Sequence, residues 1–268
     1  DSIAESMEMA PDDTARVQAG VLHVLRHNMN NGHTCLPLDK LCPAAAHLLS
    51  VEREVVQDAV IRLCESFQTV CEDFGGREFL FLQNLHVSET YIAARMQAML
   101  GMNAHPIAGA EEKIAAIEKS RGMHYAAKQK EAIRAALEQG ILLLTGGPGT
   151  GKTTTLNAII QLLQEAGEKV FLAAPTGRAA KRMSEVTGEE AKTIHRLLQV
   201  DWDEQDNPVF TRNERNPLEC DCLVIDELSM VDAHLFESVL RALPFSCRLI
   251  LVGDADQLPS VGAGNVLG

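Results

Sequence analysis

An apolar run at residues 141–144 (ILLL) empties into Gly146, Gly147, Pro148, Gly149, Thr150, Gly151, Lys152, Thr153 and Thr154. Positions 146–153 fit G-x-x-x-x-G-K-S/T without a mismatch, and a helical stretch over 152–166 follows. Few patterns restrict a fold as tightly. A strand has to deliver the glycines, and glycine supplies backbone angles that let successive N–H groups line one concave side. A helix then aims the positive end of its dipole at the same place. Such a loop cradles phosphate, with Lys152 reaching the β- and γ-phosphates and the Thr153 hydroxyl holding Mg²⁺. A glycine-rich turn without a ligand is the bland alternative, and the strand before and helix after the loop weigh against it.

Three further apolar runs, at 169–174 (KVFLAA), 222–226 (CLVID) and 248–252 (RLILV), repeat the character of the first. Continuous apolar strands alternating with helices predict a parallel sheet covered on both faces, with ligands beyond the carboxyl ends of the strands. The run at 222–226 ends in Asp226-Glu227, so two carboxylates emerge where the phosphates would lie. Asp226 is assigned to the metal and Glu227 to orienting or deprotonating the attacking water. The last run delivers Gln257, a neutral amide able to sense the γ-phosphate or that water. Beyond the second run, Pro175 ends the strand, Thr176 can cap the next helix, and Arg178, Lys181 and Arg182 project from its first turns. Amides, a hydroxyl and cations at a helix start form an anion site outside the phosphate loop, which implies a second polyanion; a solvated charged face is the alternative.

Upstream, apolar spacing predicts helices at 15–29, 38–49, 51–67 and 88–100, a turn at 30–37, and a hairpin of 70–73 with 78–82. Three helices and a hairpin make a winged-helix pattern. The helix that would read a groove carries Glu52, Arg53, Glu54, Asp58, Arg62 and Glu65, a balance wrong for phosphates, so a structural or protein-contact role is favoured. The domains expected are a mostly α winged-helix-like part at 1–105, a linker and short helix at 106–123, and the phosphate-loop α/β domain at 124–268. Residues 201–219, with the single Trp202, read as an acidic insertion, a hairpin packing on that domain being favoured over a contact to a partner because one aromatic is a weak interface signal.

A formal charge of −13 argues against a nucleic-acid partner, except that Arg178, Lys181, Arg182, Lys192 and Arg196 gather at one edge. Seven cysteines without a CxxC pair suit reduced thiols rather than a disulfide framework or zinc site. No run approaches the length of a membrane span and the acidic start is no signal peptide, so a cytoplasmic location is expected. The chain opens without methionine and stops just past a motif, and reads as a fragment.

Taken together, GGPGTGKTTT, APTGRAA, TIHRLL (193–198), VIDELSMVD (224–232) and GDADQLPSVGAGNVL (253–267) resemble, in order and approximate spacing, the first motor domain of RecD-like superfamily 1 DNA helicases. GHTCLP with AAAHLLSVEREVVQDAV is similar to the region just before the motor in the stand-alone members. The resemblance implies a RecA-like fold, ATP with Mg²⁺, and 5′-to-3′ translocation on single-stranded DNA in repair or recombination. It also implies that Gln129 contacts adenine, and that Pro175, Thr176, Arg178 and His195 lie along the DNA. A second RecA-like domain, which closes the ATP site with arginines in such enzymes, is not encoded here. Leu228 stands where relatives more often have a small polar residue. The competing readings are a nucleotide-gated DNA- or protein-binding module, docking a protein through its N-terminal part, and a small-molecule kinase, for which the last motifs have no role.

Overall fold

The structure, a computed structural model, describes residues 10, 12–101, 106–147, 149–202, 208–254, 260 and 262–267. Pro148 and Gln257, the residue expected to act as a sensor, lie outside the described residues. The chain divides into two compact units. The first runs to Tyr91 and adds Asp232–His234 and Ser260–Gly264; the second takes the remainder from Ile92.

In the first unit, helices α1 (Thr14–Met29), α2 (Leu38–Leu49) and α3 (Arg53–Glu65) bury apolar stripes that include Val17, Val21, Leu41, Val56 and Leu63. Asp13 caps α1, its Oδ1 accepting from the Ala15 N–H at 2.9 Å, which satisfies one orphan donor of the first turn. Strands β1 (Cys35–Pro37), β2 (Thr69–Asp73) and β3 (Glu78–Leu82) form an antiparallel sheet in the order β1-β3-β2, and α4 (Gln83–Gly101) follows β3 directly. This is a winged-helix-like arrangement. Two boundaries differ from expectation. The stretch 30–37 is not all turn: Cys35–Pro37 adds a strand against the free edge of β3, in register Cys35↔Phe81. Three residues are too few to display a period of two. The last helix starts at Gln83 rather than near 88, because Leu85 and Ser88, one turn apart, are both buried.

The second unit is α/β. Helices α5 (Ala110–Arg121) and α6 (Ala127–Glu138) lead to β4 (Ile141–Thr145), followed by α7 (Lys152–Glu165), β5 (Val170–Ala174) and α8 (Gly177–Thr187). Then come β6 (Ala191–Thr193), α9 (Ile194–Leu197), β7 (Val200–Trp202), β8 (Pro208–Phe210), β9 (Cys222–Ile225), a 3₁₀ turn (Leu228–Met230), α10 (Ala233–Ala242) and β10 (Arg248–Gly253). Five strands pair in parallel in the order β4-β10-β9-β5-β6. This is a RecA-like phosphate-loop sheet. Alternate residues face opposite sides of a strand. Cys222, Val224, Ile250 and Val252 join α7 in one core, while Leu223, Ile225, Leu249 and Leu251 are equally buried, so both faces are covered. Each such side chain contributes about 1.5–3 kcal/mol by leaving water.

At the entry to β10 the buried Arg248 Nε donates to both carboxylate oxygens of Glu168, at 2.9 and 3.1 Å, and its Nη1 donates to the Gln139 carbonyl at 2.9 Å. The insertion contains a hairpin, β7 against β8, but its tryptophan does not pack as expected: Trp202 is 63% exposed. The contact is made instead by Phe210, whose ring centroid lies 5.8 Å from that of His195. Among the described residues no helix is long and apolar enough to cross a membrane, and the seven cysteines are free thiols.

Candidate nucleotide site

β4 ends at Thr145, and the loop 146–151 turns its chain into α7. Gly149 and Gly151 take φ of 78° and 86°, the left-handed region that glycine enters without steric cost. Thr150 Oγ1 donates to the Gly147 carbonyl at 2.9 Å and Thr155 Oγ1 to the Gly151 carbonyl at 3.0 Å, so hydroxyls brace both ends of the turn. Lys152 Nζ folds back on the loop, donating to the Gly146 carbonyl and, at 3.0 Å, to that of Gly147. Asp254, at the end of β10, stands 3.9 Å from the same ammonium.

Gln129, on the first turn of α6, is engaged with this loop. Its Oε1 accepts from the Ala126 N–H at 2.9 Å and its Nε2 donates to the Gly151 carbonyl at 3.4 Å. A Cβ placed on Gly151 would collide with that Nε2. The amide thereby ties the start of the motif-bearing segment to the last glycine of the loop.

A cleft of about 330 Å³ opens over the carboxyl edge of the sheet. Gly147, Gly149, Thr150, Gly151, Lys152 and Thr153 form one wall, and Asp226 with Glu227 another. Gly146 and Thr154 belong to the same loop and helix start but do not line it. The hard oxygen donors of Thr153 and Asp226 therefore share one cavity, which is the donor set Mg²⁺ takes. Glu227 adopts φ of 55°, and its N–H donates to Asp226 Oδ1 at 2.8 Å. A non-glycine residue held there carries strain of order 1–3 kcal/mol. Burial first and the Asp226 charge second push the Glu227 carboxyl above the usual carboxylate range; Arg182 and then Arg178 pull it back.

Arg182 is the residue that reasoning from sequence misplaced. Its charge grouped it with Arg178 on a second anion site, yet the side chain lines the nucleotide cleft beside Met183 and Val186. A spacing of four residues, which puts Arg178 and Arg182 on one helix face, is the only signal that could have linked it to Glu227. The apolar wall, Leu156, Met183, Val186 and Val252, carried no motif and was not foreseen.

The remaining expected residues reach the same sheet edge, further along. β5 and β6 run parallel in register Ala174↔Thr193, so Pro175 and Thr176 leave one strand next to where His195 follows the other. Thr176 Oγ1 accepts from the Ala179 N–H at 3.2 Å, capping α8, and Arg178 and His195 are exposed.

Residues 129–263 match the model of the AAA domain, and residues 1–35 match that of the ATP-dependent RecD2 DNA helicase HHH domain. The second match falls on a stretch for which apolar spacing predicts only the helix at 15–29 and the turn that follows it. The ATP-dependent RecD2 DNA helicase of Deinococcus radiodurans is 33% identical over 98% of this chain and 37% of its own length. The RecBCD enzyme subunit RecD of Mycolicibacterium smegmatis is 42% identical over 52% of this chain and 29% of its own, and the ATP-dependent DNA helicase dda of phage T4 is 39% identical over 45% and 28%. The chain thus spans about a third of the length of the curated relatives it matches.

Proposed function

The chain belongs to the AAA domain family, among the RecD-like DNA helicases, and from that premise we propose that residues 124–268 form the first motor domain of an ATP-dependent DNA helicase. The observation that carries the reading is the convergence of Lys152, Thr153, Asp226, Glu227 and Arg182 on one cleft at the carboxyl edge of a parallel sheet.

In this reading ATP lies on the loop N–H groups with its terminal phosphates at Lys152, and Gln129 contacts adenine while holding Gly151. Mg²⁺, held by Thr153 and Asp226, would neutralise phosphate charge. Glu227 orients and deprotonates the attacking water, Arg182 keeps Glu227 ionised, and Gln257 senses the γ-phosphate. Positioning and charge neutralisation carry such phosphoryl transfer. Single-stranded DNA crosses Pro175, Thr176, Arg178 and His195, and α8 links that track to the cleft through its own Arg182. Travel is 5′-to-3′ and serves repair or recombination. Arginines from a second motor domain complete the site, so the chain alone turns ATP over slowly; such arginines are worth about 10³–10⁵ in rate.

The test is ATP turnover of the chain with and without single-stranded DNA. DNA stimulation that vanishes in Lys152→Ala supports the motor. A second reading, a nucleotide-gated module that docks a protein, is favoured by a groove of about 700 Å³ in the first unit, floored by Leu38, Pro43 and Val60, beside an Ile61 that is 56% exposed. Turnover indifferent to DNA selects that reading.

A further inference from the structure

Glu118 sits in the last turn of α5, where a carboxylate opposes the helix dipole; Lys119 and Arg121 in the same turn suit that end. Its residue is only 8% exposed, and burying a charge costs free energy unless it is paired and hydrogen-bonded. Neither the phosphate-loop motif nor the carboxylate strand gives it a task.

Its partners supply one. Oε1 accepts from the Tyr125 N–H at 2.7 Å, and the Lys130 ammonium stands 2.9 Å from each carboxylate oxygen. His124 Nδ1 lies 3.7 Å from Oε1. The Glu118 carbonyl accepts in turn from the Met123 N–H at 3.1 Å. Lys130 foremost, then the Tyr125 N–H, holds the carboxyl below the usual carboxylate range. One residue thereby gathers both ends of the segment 123–130.

That segment is the start of α6, which lacks a side-chain cap of its own: the N-cap position is Ala126, without a side-chain oxygen. The Ala126 N–H is taken by Gln129 and the Tyr125 N–H by Glu118. Lys130 and Gln129 are neighbours on the helix and project about 100° apart, the first onto Glu118 and the second onto the Gly151 carbonyl. The Tyr125 side chain is buried in the core that includes Ile114, Ile117 and Ile133, which fixes the turn from its other side. A clamp that only joined α5 to α6 would need Lys130 alone. It would have no use for the N–H of the residue before the cap.

The phosphate loop has braces of its own in Thr150 and Thr155, so slackening the start of α6 releases Gln129 without dismantling the loop. We propose that Glu118 is a positioning residue for nucleobase recognition: by holding the Tyr125 N–H and Lys130 it fixes the first turn of α6 and keeps the Gln129 amide beside Gly151, in place for the base. This role rests on Gln129 being the base contact, as in the proposed function.

The experiment measures the affinities of ATP, GTP and inorganic tripolyphosphate by displacement of a ribose-labelled ATP from the full chain, with KM and kcat for ATP alongside. Glu118→Ala is expected to weaken ATP about tenfold, the scale of one hydrogen bond to a charged group, and to shrink the preference for ATP over GTP. Tripolyphosphate, which has no base, should bind as before, and the loss should fall on KM with kcat within about twofold. Glu118→Gln, whose amide oxygen still accepts from the Tyr125 N–H, should recover most of the ATP affinity. Lys130→Met, which keeps the aliphatic stem and drops the ammonium, is the milder probe and should weaken ATP about threefold. In a Gln129→Ala background Glu118→Ala should leave base preference where it was, since it acts through that amide.

Equal losses for ATP and tripolyphosphate overturn the positioning role and leave Glu118 a structural clamp. So does unchanged base preference in Glu118→Ala and Lys130→Met where Gln129→Ala abolishes it, with the base contact itself intact. Base preference untouched by Gln129→Ala removes that contact, and the role of Glu118 with it.

Discussion

Lys152 Nζ lies 3.9 Å from Asp254 Oδ2 while donating to the carbonyls of Gly146 and Gly147. That cation is thus occupied by its own loop and by a carboxylate that follows the neighbouring strand. In the proposed reading, an arriving polyphosphate has to displace these contacts before it gains the lysine.

Asp254 is 5% exposed, so its charge is little screened by salt. Asp254→Asn removes a competitor for Lys152 and an anion beside the phosphate position. Metal-free ATP is expected to bind about threefold tighter, the scale of one modest ion pair. A fluorescent-nucleotide titration showing equal or weaker affinity refutes the competition.

Glu227 predicts a pH dependence. A general base has to be ionised, and burial with Asp226 raises its carboxyl while Arg182 and Arg178 oppose the rise. The acid limb of ATP turnover should therefore sit above the pH of an ordinary glutamate and move higher in Arg182→Ala. Linkage has a defined sign: with the folded pKa raised, the group's contribution to stability is full below the unfolded value and is lost as pH rises through the folded one. Glu227→Gln is expected to retain nucleotide, to hydrolyse it about 10²–10⁴-fold more slowly, and to be no less stable at neutral pH. Turnover near normal in that variant removes Glu227 from the role of base.

Gly151 combines φ of 86° with the amide of Gln129 pressed against it. Gly151→Ala should abolish ATP binding through both backbone strain and collision. Adding Gln129→Ala relieves the collision alone, so the double variant is expected to recover part of the folding stability and little of the affinity. Full additivity in that double-mutant cycle would mean the two residues do not touch.

Arg248 tests the scaffold rather than the chemistry. Its removal leaves Glu168 and the end of α6 without the buried guanidinium that serves them. Arg248→Ala is expected to cost about 3–5 kcal/mol in denaturant unfolding, the scale for breaking a buried ion pair. Arg248→Ala with Glu168→Gln together should cost less than the single change, since no charge is then left stranded.

Much of the second unit was legible because its strands are buried on both faces and so read as unbroken apolar runs, each leading into a motif. Where that signature lapsed, legibility lapsed too. β6 (AKT) and β1 (CLP) are short edge strands, and only pairing identifies them. Asp226 and Glu227 could be located from the strand that ends in them. Arg182 could not, because its place depends on how α8 turns over the sheet, a tertiary fact with no local trace. Trp202 misled for a related reason: an aromatic side chain implies burial only on average, and the tip of a two-stranded hairpin has no second layer to offer.

The order β4-β10-β9 places one strand between the lysine-bearing loop and the paired carboxylates. Two inter-strand steps separate the chains that carry them, about 9.6 Å at the usual spacing. The intervening strand β10 therefore sets how far the loop side chains on one flank and the carboxylates on the other must each extend to line the one cleft.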